Sequence, residues 1–447
     1  METADRADRA ASELLDRLRS SGLVASTGRI TRIMPTFLEG DGPLAPVGTV
    51  CSIHVAGRDA LQAEIVGIDP QRVVLMPYGP VHGVLVGDAI VAQSGAARAL
   101  VGEALLGRVV SALGQPIDGA GSVAANAARP LYGARISPLE RLSKTTAVET
   151  GVKAIDGPLT LGVGQRIGIF AGSGVGKTTL LNSIARNVQA DVRVICLVGE
   201  RGREAAEFWN DTLTPDLRRN SIQVVSTSDD PAVVRARAVH YAATIAEYFR
   251  DQGKHVVFFL DSLTRLAMAL REVGLAVGEP PTLRAYTPSV FATLPRVVER
   301  FGAVRGAGAI TALLSVLTEG DEVDDPLAET VKALLDGHIV LSRELAEQGQ
   351  FPAVNLQRSV SRFFRLVAAP HHQAAAAEVI AQIATYEASR SLVESGLYKA
   401  GSSPRLDRAL AAREALMAFL RQSPQDRIAL DAAVAGMTSV VGANRAP

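Results

Sequence analysis

Hydrophobic and polar positions divide the chain into four stretches with different spacing. Over residues 4–20, Ala7, Ala10, Ala11, Leu14, Leu15 and Leu18 recur among charges at intervals that place them on one helical face. The stripe, within residues 1–23, is narrow and Ala-rich. It suits packing on its own domain or docking another protein, and the spacing leaves both open. From about Gly28 to Ser94 the runs are short and β-rich: GRITRI, GTVCSIHV, LQAEIVGI, RVVLMPY and DAIVAQ, separated by Gly, Pro and Asp. Short strands this closely spaced predict a small barrel over residues 24–96. Over residues 97–370, strands alternate with helical segments. VRVICLVG, HVVFFLD, AITALLSVL and GHIVLS are continuous apolar runs of strand length, which predicts a parallel sheet covered by helices on both faces. Residues 371–447 read as a helical domain, carried by QAAAAEVIAQIATYEASRSLVE and RLDRALAAREALMAFLRQ. Its last residues, VVGANRAP, read as frayed. There is no internal repeat.

Composition narrows the class. At about 150 residues per domain, 447 residues suggest roughly three domains. Apolar residues make up 47%, enough for sizeable cores. Lys+Arg and Asp+Glu balance at 46 each, which argues against a protein held mainly by nucleic acid phosphates. The two cysteines, Cys51 and Cys196, lie far apart with no CxxC or Cys/His grouping, so no disulfide framework or zinc site follows. Cys196 lies inside an apolar run and reads as a buried thiol. The start, METADRADRAASELL, is too polar and acidic for a signal peptide. No apolar stretch approaches the ~18 residues that span a bilayer. A reducing, cytoplasmic setting is expected.

The strongest chemical signal follows the run QRIGIF. There Ala171, Gly172, Ser173, Gly174, Val175, Gly176, Lys177 and Thr178 lead into the helical TLLNSIARNV, whose first residue is Thr179. A strand, a Gly-rich turn and a helix start aim backbone N–H groups and the positive end of the helix dipole at one point, a geometry that holds phosphates. Lys177 is placed to reach the β and γ phosphates of ATP, and the Thr178 hydroxyl to bind Mg²⁺. The strict pattern has Gly where this chain has Ala171. VRVICLVG ends at Glu200, within GERGRE, and HVVFFLD ends at Asp261. In a parallel sheet both acids emerge at the carboxyl edge, beside the phosphate loop. Asp261 is the expected partner of Mg²⁺ through water, or else an ordinary helix cap. Glu200 is the expected group that polarises the attacking water, or else the partner of Arg201 or Arg203.

FAGSGVGKTTLLNSIAR, LVGERGREAAEF and FLDSLTRLAMALREVGLAVGEPP closely resemble the flagellar and type III secretion export ATPases, relatives of the catalytic subunit of rotary ATP synthases. LLDGHIVLSRELAEQGQFPAVNLQRSVSR extends the likeness, and YKAGSSPRLDRAL resembles the export branch rather than the synthase branch. The resemblance spans roughly residues 25–415. It implies an α/β fold: a RecA-like P-loop core with an N-terminal β-barrel and a C-terminal helical domain. Six copies would form a ring with ATP at the subunit interfaces. By resemblance Glu200 is the catalytic carboxylate, and Arg201 and Arg265 lie near the γ phosphate. Arg362 is a finger entering the neighbour's site, and Phe351 stacks on adenine. Without the resemblance, Arg265 and Arg362 read equally as surface charges and Phe351 as core. The implied partners are a stator-like regulator at the N-terminal helix, a central stalk protein, chaperone–substrate complexes and the membrane export gate, with no nucleic acid. The expected location is cytoplasmic, peripheral to the export apparatus at the inner membrane.

Other residues carry weaker readings. His371 and His372 lack a carboxylate or cysteine at ligand spacing. Glu279-Pro280-Pro281 is a stiff turn or a central-pore element. Tyr398 is a candidate cover for adenine, and Trp209 reads as packing. The MALRE run and the N-terminal texture favour flagellar export over a virulence injectisome. A Rho-like RNA motor is disfavoured because the barrel region lacks basic–aromatic interleaving. The N-terminal extension and YKAGSSPRLDRAL weigh against a true ATP synthase subunit.

Overall fold

The computed structural model describes residues 26–93, 97–142, 145–318 and 325–443. The expected N-terminal helix over residues 1–23 lies outside them.

Six strands, β1 (Thr27–Ile33), β2 (Leu38–Gly40), β3 (Val50–His54), β4 (Leu61–Asp69), β5 (Arg72–Pro77) and β6 (Ala89–Ala92), close a barrel in the order β1-β2-β5-β4-β3-β6. Closure leaves no edge strand. Alternate positions such as Ile30, Leu38, Cys51, Ile53, Ile65, Leu75 and Ile90 fill its interior. Five of these strands follow the β-rich runs. The sixth, Leu38–Gly40, has three residues and is too short to show alternation.

The second unit is built on a mostly parallel sheet. Its strands are β7 (Val109–Ser111), β8 (Arg166–Ala171), β9 (Val192–Glu200), β10 (Ser221–Thr227), β11 (His255–Asp261), β12 (Ala309–Leu317), β13 (Gly337–Leu341) and β14 (Val354–Ser361). They lie in the order β14-β13-β8-β12-β11-β9-β10-β7. Of these, only β14 runs antiparallel to its neighbour. All nine residues of β9 are buried, as expected for a central strand covered on both faces. Helices α1 (Lys177–Asn187), α2 (Ala232–Arg250), α3 (Leu263–Ala276) and α4 (Pro288–Val298) flank the sheet. One apolar cluster joins α2, α3 and α4 to one face through Phe170, Phe258 and Phe301. Full burial of each such side chain contributes about 1.5–3 kcal/mol. The opposite face packs on α1 and, in the same cluster, on the C-terminal helices α5 (Pro370–Glu394), α6 (Pro404–Leu420) and α7 (Leu430–Ala443). These helices share a core with the nucleotide-site face, so they are not a loosely tethered appendage.

α7 corrects one expectation. Val440–Ala443 do not fray: they complete the helix, and Val441 sits in the shared core, while residues 444–447 of that stretch lie outside the described residues. The barrel is tied to α2 by Glu64, which accepts from the hydroxyls of Tyr78 (2.7 Å) and Tyr132 (2.9 Å) and lies 3.7 Å from Arg237. Both cysteines are buried, and burial pushes the Cys51 thiol up to about 11.

Candidate active site

β8 delivers the phosphate loop. Ala171, the departure from the strict motif, ends the strand with its methyl in the core, so the loop beyond it is not distorted. Val175 is also buried and anchors the loop from below. Gly174 and Gly176 take φ of +78° and +96°, values that L side chains rarely adopt. Gly176 thereby caps α1, and the next residues, Lys177, Thr178 and Thr179, open the helix at the loop. Gly172 and Ser173 complete the turn, where the guanidinium of Arg343 approaches the Ser173 carbonyl at 3.5 Å.

The sheet register brings Asp261 to this loop. Leu260 pairs with Leu314, and Ile169 pairs with Ser315, so Asp261 stands level with the strand entering the loop. Buried Ser315 donates its hydroxyl to Asp261 Oδ1 at 2.7 Å, and Lys177 Nζ contacts the same oxygen. A serine inside an apolar strand thus fixes the carboxylate's rotamer.

Glu200 reaches the site through a backbone irregularity. The β9–β10 register shifts between Val198 and Glu200, and Gly199 between them has φ +67°. This bulge turns the carboxylate of Glu200 toward α3, where Arg265 Nη2 lies 3.6 Å away. Burial and the Asp261 carboxylate push Glu200 up to about 7, against the opposing charges of Lys177 and Arg265. Arg265 sits in the first turn of α3, its amide donating to the capping hydroxyl of Ser262. Its Nε is buried and has no partner among the described residues. An unsatisfied guanidinium proton beside a glutamate and a phosphate loop suits an anion. Arg201 follows Glu200, exposed at the start of the short helix Gly202–Glu207.

A Cβ on Gly199 would lie 3.1 Å from Arg265 Cδ and 3.3 Å from its Cβ, in a conformation that disfavours any side chain. Gly199→Ala is therefore expected to displace Glu200 and Arg265 together. Misplacement on the ångström scale costs about 10²-fold in rate, while Lys177 and the loop still hold nucleotide. Phosphate release alongside a fluorescent-nucleotide titration checks this.

Beside the loop, Gly176, Thr179, Phe351, Pro352 and the 422–424 segment line a narrow cleft, partly open to solvent. The half-exposed ring of Phe351 lies across from Gly176, which suits one face of a planar base. The facing wall comes from the C-terminal helical domain. Gln422 accepts from the Lys153 amide (2.8 Å), donates to the Gly151 carbonyl (2.7 Å), and its own amide donates to the Phe351 carbonyl (2.9 Å). Sequence reasoning missed Gln422–Pro424 and Arg343. It also misplaced Tyr398, whose hydroxyl is held by Asp407 and Ser403 in the turn before α6 and does not line this cleft. His372 bonds the Gly157 carbonyl at 2.5 Å and packs edge-on against Phe364, a structural role. Glu279 accepts from the Ser289 amide and so steadies the first turn of α4. Trp209 packs half-buried against the α1-side core.

Arg362 lies elsewhere. β14 starts beside Leu341, at the loop edge of the sheet, and runs antiparallel until Ser361 pairs with Gly337 at the far edge. Arg362 follows, exposed, with its amide on the Asp336 carbonyl and no side-chain bond among the described residues. One chain thus holds Lys177, Glu200, Asp261 and Arg265 together and carries Arg362 away from them.

Comparison with known proteins agrees with this geometry. The nucleotide-binding domain of the ATP synthase alpha/beta family matches residues 151–361, and the C-terminal domain of the type III secretion ATPase EscN matches residues 368–439. The flagellum-specific ATP synthase of Bacillus subtilis is 42% identical over 96% of this chain and 98% of its own length. The chain belongs to the flagellar and type III secretion ATPase family. As a member of it, the chain is an ATP-hydrolysing enzyme. The type 3 secretion system ATPase of Xanthomonas euvesicatoria is 41% identical over 92% of this chain and 93% of its own. The assembled EscN of enteropathogenic E. coli superposes with a TM-score of 0.89 at 41% identity, covering 93% of this chain and all of EscN. EscN in complex with its central stalk EscO gives 0.85 at 40% identity over the same coverage.

Proposed function

We propose that this ATPase works as a homohexameric ring whose hydrolytic sites are shared between neighbours, and that it energises protein export through the flagellar apparatus. The observation that carries the shared site is the separation of Arg362 from its own phosphate loop by the length of β14. A head-to-tail ring would bring that arginine to the next subunit's loop without a second type of chain.

In this reading the loop amides and Lys177 hold the β and γ phosphates, and the ring of Phe351 stacks on adenine. The donor set also fits Mg²⁺: a hydroxyl at the helix start, Thr178, and a hard carboxylate, Asp261, acting through water. Bound there, Mg²⁺ supplies charge neutralisation to the phosphates. Glu200 accepts a hydrogen bond from the attacking water and aligns it. Arg265 and Arg201 stabilise negative charge on the γ phosphate, and Arg362 of the adjoining copy completes that stabilisation. Ser315 holds Asp261 in place for the whole cycle.

EscN has been captured with a central stalk, and the same use of the ring's centre fits this chain. The further partners we propose are a stator-like regulator at residues 1–23, chaperone-bound export substrates and the membrane export gate. No described helix is long and apolar enough to cross a membrane, which suits a protein recruited from the cytoplasm to the export apparatus. The structural likeness to EscN favours a second reading, the ATPase of an injectisome. Removing the gene separates the two. The flagellar reading expects loss of filaments and swimming, restored by the wild-type chain and not by Lys177→Ala. A strain that swims normally but no longer secretes effectors contradicts it and supports the injectisome.

A further inference from the structure

Helix α6 ends at Leu420, and Pro424 stops its return, so residues 421–424 pass the cleft as a strip without helix. From Arg421 to Leu430 no residue is buried. Apolar packing therefore does not place this strip, and hydrogen bonds must. Four of them run through Gln422. Its Oε1 accepts from the Lys153 amide (2.8 Å), and its Nε2 donates to the carbonyls of Gly151 (2.7 Å) and Asp426 (3.0 Å). Its own amide donates to the Phe351 carbonyl (2.9 Å). The side chain thus grips one strip of chain while the backbone grips another.

The strip that the side chain grips is rigid. Asp156, fully buried, accepts from the Thr150 amide (2.9 Å), the Thr150 hydroxyl (2.7 Å) and the Gly151 amide (2.8 Å). Gly151 has φ +75°, and a Cβ there would meet that of Asn187 at 2.6 Å. Asn187 ends α1 and donates to the Asp426 carbonyl at 3.2 Å. The 150–153 turn is therefore fixed to the helix that begins at the phosphate loop. Phe351, at the other end of the clasp, has a half-exposed ring. A Cβ on Gly176 would lie 3.8 Å from that ring.

We propose that Gln422 is a positioning residue for the nucleotide base. It carries the fixed geometry of α1 and the 150–153 turn across to Phe351, and so sets the height of that ring over the loop. Without the side-chain bonds the 421–424 strip loses its register, and the Phe351 carbonyl loses its anchor. This rests on the reading of Phe351 as the wall that meets the base. The base does not react, so the effect falls on binding and not on the chemical step.

The test is a double-mutant cycle with Phe351→Ala on the full chain. It is read as affinity for a ribose-labelled fluorescent ATP analogue and as turnover at saturating ATP. Gln422→Leu keeps the size of the side chain and none of its bonds. We expect it to weaken the analogue about tenfold and to change saturated turnover by less than about twofold. Phe351→Ala weakens the analogue by about the same factor through lost stacking. In the Phe351→Ala chain, Gln422→Leu then costs less than about twofold more, because the ring it positions is gone. A glutamine that merely secures the C-terminal helices has its full effect in both backgrounds. Gln422→Glu at pH 8 still accepts from Lys153 but donates to neither carbonyl. It is expected to fall between wild type and Gln422→Leu, and it carries the same cycle if the leucine variant does not fold. Wild-type affinity in both Gln422 variants, or effects that add in full, overturns the inference. When Phe351→Ala still weakens the analogue in that case, the base-wall reading stands and only the role of Gln422 falls. Unchanged affinity in Phe351→Ala overturns the base-wall reading and the inference with it.

Discussion

Glu200→Gln is expected to bind ATP and to release almost no phosphate. The amide keeps the shape of the carboxylate at the end of the β9 bulge but cannot accept the water's proton as a carboxylate does. Groups in this role contribute about 10²–10⁴-fold to rate, so turnover should fall by that order while a fluorescent ATP analogue titrates near its wild-type affinity. Lys177→Ala should do the opposite and lose nucleotide first, since in the proposed reading its ammonium holds the β and γ phosphates. The electrostatics of Glu200 add a second readout. Its carboxyl is pushed from an ordinary 4.5 up to about 7 by burial and by Asp261. A raised carboxyl favours the folded state fully below about pH 4.5, and that contribution is lost as the pH rises through about 7. Glutamine does not titrate. The nucleotide-free variant should therefore melt close to wild type near pH 5 and above it at pH 8, a gap that thermal unfolding across that range measures. Equal melting at both ends would mean that Glu200 is not held in the buried, acid-flanked position described.

Much of this site is legible in the sequence because sheet geometry converts strand ends into neighbours. β9 and β11 are continuous apolar runs, and an acid ending each must emerge at the edge where the phosphate loop lies. The 3.6-residue pattern likewise marks α5 and α6. What escaped depends on local irregularity or on distant pairing. Gly199 sits inside the run ending at Glu200, and an isolated glycine in a strand is a bulge signal; the register shift follows from it but does not show in the apolar pattern. Gln422 holds Lys153 across 269 positions, and nothing in a helical, Ala-rich segment marks one glutamine as a clasp for the cleft beside Phe351. Tyr398 carried a plausible chemistry, but its hydroxyl is satisfied locally by Asp407. The barrel's three-residue strand is too brief for any periodicity to reveal. Ser315 reads as one more small residue in an apolar strand until its hydroxyl is seen on Asp261.

Arg362→Ala should abolish most turnover while leaving each subunit's nucleotide affinity nearly intact, because the arginine lies at the far edge of the sheet from its own Lys177. Arginine fingers contribute roughly 10³–10⁵-fold in the GTPases where they have been quantified, and a loss of that class is expected here. The same geometry makes activity depend on assembly. Specific activity should rise more steeply than protein concentration until rings form, since an isolated subunit lacks the arginine that completes its site.

Mixing the two inactive variants tests the shared site most directly. Glu200→Gln carries an intact Arg362, and Arg362→Ala carries an intact Glu200. In randomly mixed head-to-tail rings, about one interface in four joins the two intact groups, and neither variant alone forms such an interface. The two chains, differently tagged, are assembled together, the mixed rings are isolated through both tags, and phosphate release is followed with a sensitive reporter. Turnover well above the sum of the separate variants is expected, rising and falling with the mixing ratio and greatest near equal amounts. Doubly tagged rings no more active than that sum, at every ratio, would contradict a site built from two subunits.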